Sequence, residues 1–238
     1  VIDLKVGDGA FIKTIADAEK LAEIMISTAT KMNRKLVAVI TGMEEPLGFA
    51  IGNALEVKEA IATLRGHGPE DLTKLCLELG SHMLMLSGKT HNHDEGVALL
   101  KSLIHNGKAF DKFVELVDIQ GGQTDMVIHP ELLPQAKLTH EYKSKSTGYI
   151  SHLSAMDIGL ASVRLGAGRE TKESLIDYSA GIILTKKVGD HVQMGDTLAV
   201  LHANDAVFFT KAEEYMNLAY TVSETKPDKQ PLIFKTVK

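Results

Sequence analysis

The stretch PLGFAIGNALEVKEA, residues 46–60, spends a proline, two glycines and an asparagine before a helical register settles, and it places a carboxylate, Glu59, on the helix beyond. Two chemistries account for that spacing. Gly and Asn are ordinary helix-start residues, so the stretch reads as an elaborate helix start. A glycine-freed backbone also turns main-chain carbonyls inward, and with one carboxylate they make an oxygen-only set suited to a hard cation rather than zinc. The sequence leaves both open. KVGDGAF, residues 5–11, is a glycine turn between a strand and a helix, where phosphates bind to unpaired N–H groups and the helix dipole. It lacks the full G-x-G-x-x-G pattern, and Asp8 would set a negative charge beside an incoming phosphate, so a plain tight turn is favoured. His91 and His93 in THNHDE have no Cys or further carboxylate at metal spacing and read as a solvated surface. Cys76 lies in the apolar helical pattern LTKLCLELGSHMLML and is expected to pack in the core.

The elements that must position these residues follow from periodicity. VIDLKV, an apolar-periodic helix over residues 14–32 and LVAVIT over residues 36–41 spell strand, helix, strand, hence a parallel pair with a right-handed crossover. From residue 51 to about 120 the pattern is helical: one helix through Leu64, a second from GHGPED through Leu86, and two shorter ones over residues 95–104 and 108–119. GGQTD and HPELLPQAK then form a Gly/Pro-punctuated connector leading to the short runs KLTHEYKS and TGYISHLS. A helix over residues 155–165, a β module over residues 181–205, a helix over residues 207–218 and the strand PLIFKTV complete the pattern. The expected fold class is α/β. Residues 1–140 form part of a central domain with a parallel or mixed sheet and flanking helices, and residues 141–238 a smaller α+β domain with a barrel-sandwich-like β module.

Composition narrows the function classes. With 238 residues and 44% hydrophobic content the chain buries a sizeable core. Its formal net charge of −5, with acidic and basic residues mixed, offers no basic face for nucleic acid and no polybasic anchor for a membrane. A single cysteine permits no internal disulfide, and a reducing, cytoplasmic setting is expected. VIDLKV opens the sequence as a buried strand without methionine, and a piece of a longer protein is expected.

Two resemblances carry the reading further. VGDHVQMGDTLAVLHAND resembles the barrel-sandwich of biotinyl and lipoyl carriers, but the hairpin tip, His202 to Asp205, holds no lysine to modify, so the module is read as structural. KVGDGAF, PLGFAIGNALEVKEAIATLRGHGPEDLTKLC, GGQTD, RLGAGRETKESLIDYSAGI and the VGDHVQMGD hairpin, in this order, are similar to the bacterial pyrimidine-nucleoside phosphorylases. That resemblance covers essentially the whole chain. It implies reversible phosphorolysis of uridine, thymidine or deoxyuridine to the free base and α-ribose or α-deoxyribose 1-phosphate. It also implies an aromatic wall for the pyrimidine at Phe11, and a potassium ion held by the carbonyls of Leu47 and Ala50 and the carboxylate of Glu59. Phosphate is the co-substrate, no organic cofactor is implied, and the full-length enzyme is expected to be a homodimer.

In the family the residues that hold phosphate and base precede this segment, so no catalytic residue is assigned here, and no motif supports a catalytic role for Asp3, Lys5 or Arg164. The chain by itself is expected to be inactive. The alternatives are a thymidine-specific phosphorylase, a related phosphoribosyltransferase, or a folded fragment without catalysis.

Overall fold

The computed structural model describes residues 1–238. In chain order the elements are β1 (Ile2–Val6), α1 (Ile15–Lys31), β2 (Ala38–Gly42), β3 (Ala50–Gly52), α2 (Ala54–Leu64), α3 (Glu70–Leu86), α4 (His93–His105), α5 (Lys108–Ile119), α6 (Thr124–Ile128), β4 (Leu138–Lys143), β5 (Gly148–Leu153), α7 (Ala155–Arg164), β6 (Gly181–Leu184), β7 (His191–Val192), β8 (Thr197–Ala203), α8 (Val207–Ala219), β9 (Tyr220–Ser223) and β10 (Ile233–Val237). They form two compact units. One comprises Val1–Met43, Ile61–Thr124 and Gln230–Lys238; the other comprises Glu44–Ala60 and Asp125–Lys229.

In the first unit β1 and β2 pair in parallel, from Ile2 opposite Ala38 to Val6 opposite Gly42, with α1 as the connection. Period-two alternation turns Leu4, Val6, Ala38 and Ile40 toward Ala18 and Ala22 of α1, which closes one apolar layer. Thr14 starts α1 by accepting a hydrogen bond from Asp17 N at 3.2 Å, occupying one of the N–H groups a helix start leaves unpaired. The carboxyl-terminal strand β10 adds to β2 antiparallel, with a bulge between Ile233 and Lys235. A strand was expected at PLIFKTV, but its partner is set by tertiary packing and not by any local signal. α4 opens on a reciprocal cap: Glu95 N donates to Asn92 Oδ1 and His91 N donates to Glu95 Oε2.

The second unit holds two antiparallel sheets, ordered β3-β6-β8-β4 and β7-β5-β9, with α7 and α8 packed around a core that includes Ile150, Leu153, Ile158, Ile182, Leu201 and Met216. The sheets stay open and no barrel closes. Each Gly-Asp turn of the β module is tied by its own aspartate: Asp190 Oδ2 accepts from Lys187 N at 2.9 Å, and Asp196 Oδ2 from Gln193 N at 2.8 Å.

One element differs from expectation. Residues 51–52, expected to begin a helix, belong instead to the strand β3, paired with β6 from Ala50 opposite Ile183 to Gly52 opposite Gly181. The physical reason is the glycine pair. A Cβ on Gly181 would lie 2.2 Å from Ile51 O, so only glycine lets the two backbones approach this closely. The helix begins once Asn53 Nδ2 has bonded to Ala167 O at 2.9 Å and Ala54 N to Tyr178 O at 3.0 Å.

Candidate functional site

In the first unit, the turn after β1 is closed by backbone bonds: Gly7 N donates to Ile12 O and Ala10 N to Gly7 O within the turn, and Gly9 N donates to Met43 O just past β2. Three N–H groups that a phosphate would use are thereby engaged. Lys13 Nζ adds a bond to Asp8 O at 2.7 Å. The turn holds Phe11 outward with its ring wholly exposed to solvent. An apolar ring on a rigid turn with no protein packing is a ready flat surface for a planar ligand.

In the second unit, the stretch from Pro46 into β3 surrounds Glu59. Glu59 Oε1 accepts from Phe49 N at 2.9 Å and from Ala50 N at 3.1 Å. Gly48, at φ 69°, brings its Cα so close that a Cβ there would meet Glu59 Oε2 at 2.1 Å. Phe49 O accepts from Leu184 N at 2.8 Å, tying the loop to β6. The backbone of residues 48–50, which follows Leu47 directly, is therefore drawn around the Glu59 carboxylate. The glycines of this stretch serve two purposes: Gly48 admits the carboxylate, and Gly52 admits the neighbouring strand.

The set fits a hard cation by its chemistry. Its candidate donors would be carboxylate and carbonyl oxygens, and no group of three or more His, Cys, Asp or Glu side chains that could hold a metal ion is found in the chain. A carboxylate has about four lone-pair positions, so backbone N–H bonds and a cation are compatible on one group.

Several residues stand differently from their sequence reading. Cys76 is exposed on α3, flanked by the buried Leu75 and Leu77. Periodicity marks an apolar stretch of helix, but not which of its faces is covered. His93 is more than a solvated residue: its Nε2 lies 2.9 Å from Glu78 Oε2, while Nε2 of the buried His82 lies 3.0 Å from Glu78 Oε1. One carboxylate on α3 thus bridges two imidazoles, one from α3 and one from α4. In β1, Asp3 and Lys5 pair at 2.8 Å, and the fully buried Thr41 of β2 donates to Asp3 at 2.5 Å. The i, i+2 charges inside an otherwise apolar strand were the available signal for that network.

Two family models match the chain, each over one stretch. A glycosyl transferase family a/b domain covers residues 1–110, and a pyrimidine nucleoside phosphorylase C-terminal domain covers residues 149–223. Among curated proteins, the pyrimidine-nucleoside phosphorylase of Staphylococcus haemolyticus (strain JCSC1435) is 52% identical over 204 residues, which is 86% of this chain and 47% of that protein. That of Staphylococcus aureus (strain USA300) is 50% identical over 204 residues, with the same coverage. The chain spans about half the length of the curated relatives it matches.

Proposed function

The chain belongs to the pyrimidine-nucleoside phosphorylase family, and from that premise we propose that it serves the reversible phosphorolysis of pyrimidine nucleosides. A phosphate oxygen forms a bond to the anomeric carbon of uridine, thymidine or deoxyuridine. The C–N bond to the base breaks, its electron pair leaves with the pyrimidine, and the product is α-ribose or α-deoxyribose 1-phosphate. The observation that carries this reading is the identity of about half the residues across 86% of the chain, joined to the order of the two matching domains.

In this reading each of the family's matched residues has a part that its setting supports. Phe11 offers its exposed ring as a wall for the base, supplying contact area without competing for the polar edges of the pyrimidine. Glu59, fixed by two backbone N–H groups, presents a full negative charge at a defined place, and the carbonyls of Leu47 and Ala50 complete this chain's share of a potassium site. When bound there, potassium supplies fixed positive charge beside the region that holds phosphate. The positioning of phosphate, sugar and base then lowers the entropic part of the barrier. By the same family relation we take the working enzyme to be a cytoplasmic homodimer.

The test is a chimera in which this chain replaces the matching segment of the Staphylococcus haemolyticus relative. Uridine and phosphate are supplied, uracil release is followed, and the sugar product is identified by phosphorus NMR. Phosphate-dependent formation of ribose 1-phosphate is the expected result. A folded chimera that forms none overturns the reading.

A further inference from the structure

Lys187 is a buried lysine for which the proposed reaction has no use. Its backbone is fixed by the Gly-Asp turn that follows: Lys187 N donates to Asp190 Oδ2 at 2.9 Å, and Asp190 N donates back to Lys187 O at 3.1 Å. From that fixed point the side chain, 11% exposed, reaches a segment distant in sequence. Its Nζ donates to Pro46 O at 2.8 Å in a buried bond, lies 3.6 Å from Glu45 Oε1, and sits 5.5 Å from the centre of the Phe49 ring. The second oxygen of Glu45 accepts from Val188 N at 3.0 Å.

An ammonium is an expensive way to fill space. Desolvating a charge is costly unless it is paired and hydrogen-bonded, and methionine or leucine would fill the same volume without that cost. What the ammonium adds is donation to a backbone carbonyl. The loop is consequently gripped by opposite charges at its two ends: the cation of Lys187 takes the carbonyl of Pro46, and the anion of Glu59 takes the N–H groups of Phe49 and Ala50. Glu45 balances the lysine's charge locally, so the grip adds little net field to the loop. The Gly-Asp hairpin, which has no modifiable lysine at its tip, gains a purpose as the platform for this one.

We propose that Lys187 is a positioning residue for the cation loop. Its tethered ammonium holds residues 46–50 in the shape from which the carbonyls of Leu47 and Ala50 would serve a cation, an inference that rests on the reading of that loop given above. Amide hydrogen exchange resolved to single residues tests it in the 238-residue chain, comparing the parent with Lys187→Met and Lys187→Arg. In Lys187→Met, exchange at Phe49 and Ala50 is expected to quicken at least about tenfold, as losing one charge-assisted bond does to a local opening, while Leu201 and Met216 change by less than about twofold. Lys187→Arg, which keeps a cationic donor, is expected to restore protection at Phe49 and Ala50 to within about threefold of the parent.

Three results overturn the proposal: unchanged exchange at Phe49 and Ala50 in Lys187→Met, equal loosening at Leu201 and Met216, or an arginine variant as loose as the methionine one. Exchanging sodium for potassium in the parent tests the cation reading separately. Added protection at these amides supports potassium binding by this chain's share of the site, and the comparison of variants decides separately whether Lys187 anchors the loop.

Discussion

Phe11 and Glu59 are the two side chains on which the account rests most heavily, and they differ in what folding asks of them. Phe11 contributes nothing visible to packing, since its ring is fully exposed. Phe11→Ala should therefore leave unfolding free energy within about 0.5 kcal/mol of the parent. In the active chimera the same change should raise the uridine KM about tenfold, the order of what one base-aromatic contact supplies. Unfolding in urea and steady-state kinetics check the two halves, and an unaltered KM would remove Phe11 from the site. Glu59 is held by the fold itself through Phe49 N and Ala50 N. Both residues were singled out through the family resemblance that their short glycine-marked motifs carry; spacing alone made KVGDGAF a plain turn and left residues 46–60 between a helix start and a cation site. Lys187 was not: it stands beside Lys186 in a KK pair, and no local signal says which of the two is buried. Cys76 shows the same limit, because a helical repeat does not tell which side is covered.

At the scale of elements, the expected helices α1, α3 and α5 follow directly from apolar periodicity and their end signals, with Pro69 before α3 and Gly107 before α5. β3 was illegible, because its strand character comes from β6, far along the chain, through a contact that only glycines allow. Gly181→Ala should on that account lower the unfolding free energy of the second unit by about 2 kcal/mol or more, since the clash is with backbone. A urea midpoint unchanged from the parent would show that the strands can separate without cost.

The α3–α4 contact carries a pH dependence. Desolvation works to lower the pKa of His93, yet hydrogen bonds and charge from Glu78 and Asp94 outweigh it and hold the imidazole above its ordinary value. A raised folded-state pKa means that the contribution to stability is complete below the unfolded value of about 6.5 and is lost as pH rises through the higher folded value. His93→Gln should accordingly cost the first unit more stability at about pH 5.5 than at about pH 8.5. Urea unfolding of parent and variant at both pH values gives the comparison, and an equal cost at both would contradict the ion-paired assignment. His93 is partly exposed, so the difference should shrink with added salt.

For the whole molecule, the chain does not divide at one point. Residues 44–60 belong with the C-terminal unit, and residues 230–238 return to the first unit as β10. Sequence texture changes where composition changes, but it is blind to segments exchanged between units, since the partner of a strand is not written beside it. The proposed cation loop lies in one such exchanged segment. The most direct measurement of the account is therefore the phosphate KM of the chimera across a potassium titration, with sodium holding ionic strength constant, for the parent and for Glu59→Gln. Glutamine keeps an oxygen for Phe49 N and Ala50 N but gives up the charge. The expected result is that potassium lowers the phosphate KM of the parent, and that Glu59→Gln needs at least about fivefold more potassium for the same effect, the lower range of coupling between linked sites. A potassium response that is identical in parent and variant would contradict the cation site at Leu47, Ala50 and Glu59.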